Sequence, residues 1–130
     1  MTKTEILKAI YAGINSNNIP GILEFCAPDI VRIEPAGFPS SGTYRGHAEL
    51  AAHVVKGRDT WAEGACEPES FQVAGEKVIA FLHVKVRLKN HHDWIDARIA
   101  DVFTFRDHKV IEMRTFAKSE EAIKWVQENS

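Results

Sequence analysis

The sequence lacks the features of several large protein classes. No apolar run approaches the ~18 residues that a membrane-spanning helix needs, so no membrane span is predicted. No long basic run occurs and the formal net charge is −2, which argues against nucleic acid as a partner. GxSxG, Walker A, HExxH and paired CxxC motifs are also absent. The sequence therefore offers no support for nucleophilic, phosphate-binding or zinc chemistry, and we expect neither a cofactor nor a metal.

Cysteine is scarce. The two cysteines, Cys26 and Cys66, lie far apart in the sequence, so no disulfide framework is predicted. We expect both to be buried, unreactive thiols. The first residues, MTKTEILKAIYAG, lack the apolar core and the cleavage site of a signal peptide. A cytoplasmic location is the expectation that follows from these observations.

The residues that are present are typical of one soluble globular domain. The chain has 130 residues, of which 45% are hydrophobic and 26% are charged. A chain of this length can bury one core, so a single domain over residues 1–130 is predicted. No repeat, low-complexity segment or internal linker divides it.

Four helices are predicted from apolar spacing and from capping residues. The first begins near the N-terminus, where apolar residues recur at three- and four-residue intervals (Ile6, Leu7, Ile10, Tyr11 and Ile14). Asn18 is expected to cap a short second helix, with Pro20 in its first turn. Residues 46–56 predict a third helix that stops at Gly57, and Ser119 is expected to cap a fourth.

Alternating apolar and polar residues predict strands through most of the remaining sequence. A short strand covers residues 30–34 and ends at Pro35, and longer strands cover residues 77–89, 94–105 and 109–116. The segment SFQVA predicts one more strand. Successive strands joined by short turns favour an antiparallel meander. Together these elements predict an α+β domain with helices on one face of a curved sheet.

Three segments carry a family resemblance: IPGILEFCAPDIVRIEP, GTYRGHAELAAHV and ADVFTFRDHKVIEMRTF. With the order of elements, they resemble the nuclear transport factor 2-like (NTF2-like) superfamily, especially its ketosteroid isomerase and SnoaL-like polyketide cyclase branches. The resemblance covers nearly the whole chain. It implies a cone-shaped, cystatin-like α+β barrel, in which a curved antiparallel sheet wraps around N-terminal helices and leaves a deep, mostly apolar cavity. It also implies a homodimer.

The resemblance implies catalytic residues as well. In the isomerases, an acidic residue before proline at a strand end is the general base, and the matching residue here is Glu34. A protonated aspartate donates a hydrogen bond to the oxyanion, and its match is Asp101 in ADVFTF. The second donor is a tyrosine on the first helix, whose position falls at Ile10. Tyr11 is the next residue, and its side chain points about 100° around the helix axis from that of Ile10. We therefore assign Tyr11 to substrate binding.

The charged residues have alternative interpretations. Glu34 is either a solvated charge at a strand end or a carboxylate at the mouth of the cavity, where apolar walls would increase its basicity. Arg32, two residues away on the same strand face, has three alternative roles: it holds Glu34 ionised and so weakens it as a base, it binds an anionic substrate, or it forms a surface ion pair with Glu34. Asp101 is either an acid in the cavity or the partner of Arg98 or Arg114 in a salt bridge.

The pattern alone leaves open which face of the 77–89 strand lines the cavity. The resemblance implies the face of Phe81 and His83, which makes His83 a candidate for proton transfer near neutral pH. The opposite face is the more apolar one, and a single histidine in a strand is more often structural. Further candidates for the apolar wall are Phe103, Met113 and Trp61.

These residues predict an enzyme that uses cofactor-free acid–base chemistry of the isomerase or cyclase kind on a small, apolar carbonyl compound. Glu34 would be the base, Asp101 the acid or hydrogen-bond donor, and His83 a helper. The alternative, favoured by the lack of tyrosine at position 10, is a non-catalytic module that binds a small ligand or dimerises. A third hypothesis, epoxide hydrolysis by Asp96, Arg98 and Asp101, is disfavoured because Asp96 and Asp101 differ in strand parity.

Overall fold

The computed structural model of the protein describes residues 1–129, which contain four helices and six strands. The helices are α1 (Lys3–Asn15), α2 (Ile19–Leu23), α3 (Gly46–Arg58) and α4 (Ser119–Glu128). The strands are β1 (Cys26–Glu34), β2 (Gly42–Arg45), β3 (Trp61–Ala74), β4 (Lys77–Leu88), β5 (Ile95–Arg106) and β6 (Lys109–Phe116). The predicted α+β fold class is confirmed.

The strands form one curved sheet in the order β2-β1-β6-β5-β4-β3. Strands β3 to β6 make the predicted antiparallel meander. β1 differs from the prediction, because it pairs in parallel with β6, while the unpredicted β2 pairs antiparallel with β1. This order brings β1, β6 and β5 side by side, so residues far apart in the sequence share one surface of the sheet.

Local sequence explains some helix ends and not others. Asn18 caps α2 as predicted, because its side chain accepts a hydrogen bond from a backbone N–H in the first turn. Gly57 does not stop α3, which continues to Arg58; a single glycine lowers helix stability by only about 1 kcal/mol. Ser119 is the first residue of α4, and the cap position falls at the extended Lys118. No helix among residues 1–129 is both long and apolar enough to cross a membrane.

β3 begins at Trp61, well before the SFQVA segment from which a strand was predicted. Two irregularities interrupt its pairing with β4, so the alternation of apolar and polar residues is lost there. Gly64 has a φ of +117°, and a Cβ at this position would lie 2.2 Å from the backbone oxygen of Lys85. Only glycine fits this close approach of the two strands, which explains why the sequence pattern failed to show the first half of β3.

Two apolar clusters cover opposite faces of the sheet. The larger cluster packs α1, α2 and Leu50 of α3 against one face, called the inner face here. The smaller cluster packs Ala122 and Val126 of α4 against the outer face. Neighbouring residues of β4 belong to different clusters, since Ala80 is in the larger and Ile79 in the smaller. Apolar residues are therefore buried on both faces of this strand.

Candidate functional site

A pocket of about 560 Å³ lies between α1, α2, α3 and the inner face of the sheet. Residues 37–40, which follow β1, form part of its wall. Most of the other wall residues are apolar, among them Ile14, Ile22, Leu50, Leu82, Val84 and Ile99. An apolar concavity that contains a few convergent polar groups is the usual form of a site for a small molecule.

The first polar cluster in the pocket centres on Asp101, which is only 3% exposed. The Tyr11 hydroxyl donates a 2.5 Å hydrogen bond to its Oδ2 atom. The Thr115 hydroxyl donates a hydrogen bond of the same length, 2.5 Å, to its Oδ1 atom. The pairing of β5 with β6 places Asp101 directly opposite Thr115. Both carboxyl oxygens are therefore held by hydroxyl donors, as a buried carboxyl group requires.

Tyr11 lines the pocket, although its predicted direction was away from the position of the family tyrosine. Ile10 and Tyr11 are both buried, because the apolar stripe of α1 is broad enough to include both side chains. The Tyr11 ring packs edge-on against Phe103, with 5.9 Å between the ring centroids. Burial and the negative charge of Asp101 hold the pKa of the Tyr11 hydroxyl well above its usual value. The hydroxyl group therefore keeps its proton and acts as a donor.

The second polar cluster lies at the end of β1. The Oε1 atom of Glu34 is 3.9 Å from Nη2 of Arg32, and its Oε2 atom is 3.4 Å from Nε2 of His53. The three side chains are only 9% (Arg32), 15% (Glu34) and 10% (His53) exposed. Arg32 also donates hydrogen bonds to the backbone oxygens of Ile33 and Met113. Glu34 is thus neither a solvated charge nor part of a surface ion pair.

The environment of Glu34 makes its carboxylate more basic. Burial raises the pKa of Glu34, the positive charge of Arg32 opposes that rise, and the negative charge of Asp101 adds to it. Oε2 is buried and accepts no hydrogen bond from the described residues, because the nearby His53 nitrogen lacks hydrogen-bond geometry. The other oxygen, Oε1, is not buried and also accepts no hydrogen bond from residues 1–129, so a carboxylate with this raised pKa can accept a proton from a bound molecule there.

His53 is a pocket residue, although its spacing from Glu49 on α3 favours a surface pair of the two side chains over a shared ligand. It lies on the face of α3 that also presents Leu50, Val54 and Gly57 to the pocket. These four positions follow the helical spacing i, i+3, i+4 and i+7, so the apolar stripe of α3 was the signal that could have revealed it. Its contact with Glu34 joins α3 to β1, which no local pattern predicts.

His53 is held as a neutral imidazole. Its ring stacks on the ring of Tyr44, with 4.0 Å between centroids. Burial lowers the pKa of His53 to about 4, and the positive charges of Arg32 and Lys56 add to the effect. At neutral pH the residue therefore contacts Glu34 without adding a positive charge to the site.

This lowered pKa predicts a loss of stability in acid that His53→Gln reduces. Between pH 6.5 and about 4 the unfolded chain binds a proton at His53 that the folded chain does not, so the free energy of unfolding falls as pH falls. We expect this fall to be smaller by about 1–2 kcal/mol in His53→Gln, after allowance for solvent screening of a partly exposed ring. Urea unfolding at several pH values measures it. His91→Gln, in an exposed turn, is the control, and equal pH dependence in all three proteins would contradict a buried neutral His53.

Phe81 and His83 lie on the outer face of β4 and do not line the pocket, so their assignments to the wall and to proton transfer are wrong. The inner face of β4 instead presents Leu82 and Val84. Phe81 packs against the cluster around α4. The Nε2 atom of His83 lies 2.6 Å from Oδ1 of the exposed Asp96. The outer face is covered partly by α4, against which Phe81 packs, and is otherwise open to solvent, where His83 pairs with Asp96.

The other residues predicted to bind substrate do line the pocket. They are Arg32, Tyr11, Phe103, Met113 and Trp61.

The residues suggested for epoxide hydrolysis do not come together in the pocket. Arg98 forms an ion pair with Glu69, 2.9 Å between Nε and Oε1, and neither Arg98 nor Asp96 lines the pocket. Arg114 pairs with Glu112. The proposed salt bridges from Asp101 to these two arginines are therefore wrong.

The two cysteines line the pocket as free thiols. Burial raises the pKa of Cys26 to about 11 and that of Cys66 to about 12. Neither forms a thiolate near neutral pH, so neither is an effective nucleophile. Within residues 1–129, no group of three His, Cys, Asp or Glu side chains is arranged to hold a metal ion.

Comparison with known proteins identifies one family and many structures of the same fold. Residues 7–113 match the model of a family described as the SnoaL-like domain. No curated protein sequence matches the chain. The family match covers α1 through most of β6, and so includes both polar clusters except Thr115.

Three of the solved structures illustrate the likeness. TerC, co-crystallised with polyporic acid, is 23% identical over 95% of this chain and 97% of its own, with a TM-score of 0.79. An NTF2-like protein of unknown function from Burkholderia pseudomallei K96243 is 22% identical over 95% and 97%, with a TM-score of 0.81. An NTF2-like protein from Burkholderia xenovorans LB400 is 29% identical over 93% and 92%, with a TM-score of 0.76. These likenesses confirm the predicted fold.

Proposed function

The chain belongs to the SnoaL-like domain family, and from this premise we propose that it catalyses cofactor-free acid–base chemistry on a small, apolar carbonyl compound. The proposed reaction is of the isomerase or cyclase kind, in which a proton is removed from the carbon next to the carbonyl group. One observation carries the proposal. Glu34 is a mostly buried carboxylate with a raised pKa in the wall of an apolar pocket that also contains Asp101, and neither of its oxygens accepts a hydrogen bond from the described chain.

Glu34 is the proposed general base. Its carboxylate takes the proton, and the electron pair of the broken C–H bond moves into the carbonyl group to give an enolate. In an isomerisation, Glu34 returns the proton to a different carbon atom. In a cyclisation, the enolate carbon attacks a second carbonyl group of the same molecule, and the resulting alkoxide takes the proton back. Both routes balance without an oxidant or a reductant.

Tyr11 is the proposed hydrogen-bond donor to the enolate oxygen, and its hydroxyl group turns from Asp101 to that oxygen. Tyr11 has a proton to donate because the pKa of its hydroxyl is raised. Asp101 accepts hydrogen bonds from Tyr11 and Thr115, and so it is proposed to position the Tyr11 hydroxyl group, while Thr115 holds the other carboxyl oxygen in place. Donors that are already in place in a site sheltered from water stabilise developing negative charge with little reorganisation.

Arg32 and His53 are proposed to position the base and to adjust its basicity. Arg32 lowers the pKa of Glu34 and so limits the increase that burial causes. The net direction is still upward, so the ion pair leaves Glu34 more basic than a free glutamate. His53 contacts Oε2 as a neutral ring, which restricts the carboxylate without neutralising it.

The fold comparison supports a small organic ligand. TerC, which shares this fold, was crystallised with polyporic acid. The apolar wall of the present pocket supports the same general class of ligand, and its volume of about 560 Å³ is within the range of small-molecule sites.

Exchange of α-hydrogens for deuterium tests the proposed chemistry. We expect the protein to accelerate exchange into β-tetralone, an apolar cyclic ketone, over the rate in buffer alone, as followed by proton NMR in D₂O. The rate should increase with pH through the raised pKa of Glu34 and level off above it, because only the ionised carboxylate accepts a proton. Acetone, too small to fill the pocket, is the control substrate. No acceleration for β-tetralone or for related cyclic ketones and diketones would contradict the proposal.

Other expectations stay predictions. These are a single domain over residues 1–130, a cytoplasmic location and a homodimer that binds a small apolar molecule in each cavity. The alternative, a non-catalytic module that binds a small ligand or dimerises, also stays a prediction; the Tyr11 hydroxyl, which donates a hydrogen bond to Asp101, supports the catalytic proposal.

A further inference from the structure

Arg58, the last residue of α3, lines the pocket beside Trp61. Its guanidinium carbon lies 4.9 Å from the centroid of the Trp61 ring. Its Nη2 atom donates a 3.2 Å hydrogen bond to the backbone oxygen of Asn15. A cation–π contact on one side and a backbone acceptor on the other hold the guanidinium group in place.

The positive charge of Arg58 has no carboxylate partner among residues 1–129. Five other arginines do form ion pairs: Arg32, Arg87, Arg98, Arg106 and Arg114. The Nε atom of Arg58 is also buried without a hydrogen-bond partner in the described chain. A buried donor left unpaired destabilises a protein, and such groups call for a specific explanation. The Nη1 atom also makes no hydrogen bond in the described chain and, unlike Nε, is not buried, so an anionic group of a ligand in the pocket can pair with the guanidinium group there.

Arg58 and the residue that contacts Glu34, His53, lie at two separate points along α3. His53, which contacts Glu34, lies five residues before Arg58, a distance of roughly 7.5 Å along a helix axis. Gly57 lies in the pocket wall between them, and a Cβ placed there would meet no atom within 4 Å. The wall beside Gly57 is therefore open, and an apolar ligand can extend from the base toward the guanidinium group.

We propose that Arg58, held on the ring of Trp61, is a binding site for a carboxylate group of the substrate. The planar guanidinium group matches a carboxylate with two parallel hydrogen bonds, which a lysine cannot reproduce. The substrate is then an apolar carbonyl compound that also carries a carboxylate group away from the reacting carbon. The position of the reacting carbon rests on the proposed function, but the binding of an anion by Arg58 does not.

A matched pair of ligands tests the anion site without requiring turnover. β-Naphthoate and β-naphthamide share a shape and differ in charge at neutral pH. We expect the wild-type protein to bind the carboxylate about tenfold more tightly than the amide by isothermal titration calorimetry. Arg58→Met should reduce this ratio to about one while leaving the affinity for the amide nearly unchanged. Arg45→Met, which removes an exposed arginine outside the pocket, should keep the tenfold ratio.

The measured ratios decide whether Arg58 binds the carboxylate. Equal ratios in wild type and Arg58→Met, or an equal loss in Arg45→Met, would overturn this assignment. Arg58→Lys is a second variant in case Arg58→Met unfolds; it keeps the charge without the planar fork, so an intermediate ratio supports the site and an unchanged ratio overturns a paired carboxylate contact. A protein that discriminates the two ligands but exchanges no ketone hydrogen would retain the anion site and lose the proposed function.

Discussion

Glu34→Gln is expected to slow protein-catalysed deuterium exchange into β-tetralone by about 10²–10⁴-fold, the usual contribution of a general base. Glutamine keeps the shape of the side chain but cannot accept the proton. Binding should survive, because the apolar wall that supplies most of the contact area is unchanged. The exchange rate is measured by NMR, and the affinity for β-naphthol, a planar analogue of the enol, by calorimetry. A rate within a few-fold of wild type would remove Glu34 from the role of base.

Glu112→Gln is the matched control for this variant. Glu112 is also partly buried and also pairs with an arginine, Arg114, but it does not line the pocket. Losing its charge should leave the exchange rate and the affinity close to wild type. An equal loss in Glu112→Gln and Glu34→Gln would indicate a general effect of charge on the fold rather than proton transfer by Glu34.

The stability of Glu34→Gln separates loss of catalysis from loss of folding. Because the folded-state pKa of Glu34 is raised, its stabilising contribution is present below the unfolded-state pKa and is lost as pH rises through the folded-state pKa. Glutamine is neutral throughout this range. The variant should therefore be at least as stable as wild type at neutral pH, with an advantage that shrinks in acid. Slow exchange in a variant that is fully folded would then be a chemical effect.

Most of the fold could be predicted because its signals are local. Asn18 caps α2 through a hydrogen bond within one turn, and β6 has the bounds expected from alternation, Lys109–Phe116. Glu34 could be singled out for the same reason, since Pro35 ends the strand one residue later. Where a bulge shifts the register, as near Gly64, the alternation is broken and the strand was predicted too short.

The face of β4 that lines the pocket depends on pairing across the sheet. Ala80 lies opposite Asp101, and His83 lies opposite Arg98. Residues directly opposite each other point to the same side of a sheet, so this register puts Ala80 with the buried carboxyl group and His83 with the exposed charges. Alternation along β4 could not decide between the faces, because α4 buries apolar residues on the outer one as well.

The contacts that complete the site join elements distant in the sequence. His53 reaches Glu34 across the gap between α3 and β1, and Tyr11 reaches Asp101 across 90 residues. The sequence pattern of α3 shows only that His53 lies on the apolar stripe of that helix, and the pattern of α1 shows only the same for Tyr11. The sequence could therefore supply the acidic residues as candidates, while the histidine and the tyrosine that set their chemistry required the packed structure.

Tyr11→Phe is expected to slow β-tetralone exchange by about 10²–10³-fold, the usual effect of removing one donor to an oxyanion. The variant keeps the ring that packs on Phe103 and removes only the hydroxyl group. It also leaves Oδ2 of Asp101 without its 2.5 Å donor, which should lower the free energy of unfolding by about 1–3 kcal/mol. Tyr44→Phe is the control, because that hydroxyl donates to the backbone of Ser40 and contacts neither carboxylate.

Asp101→Asn distinguishes an Asp101 that positions the Tyr11 donor from one that makes a purely structural hydrogen bond. If Tyr11 and Asp101 act together on one oxyanion, the double variant should lose far less than the product of the two single losses, because each single change already disrupts the pair. The affinity for β-naphthol should fall in both single variants, since its oxygen occupies the position of the enolate oxygen. Multiplicative losses in rate with unchanged β-naphthol affinity would show that the pair supports the fold around the pocket, and that the negative charge is stabilised elsewhere.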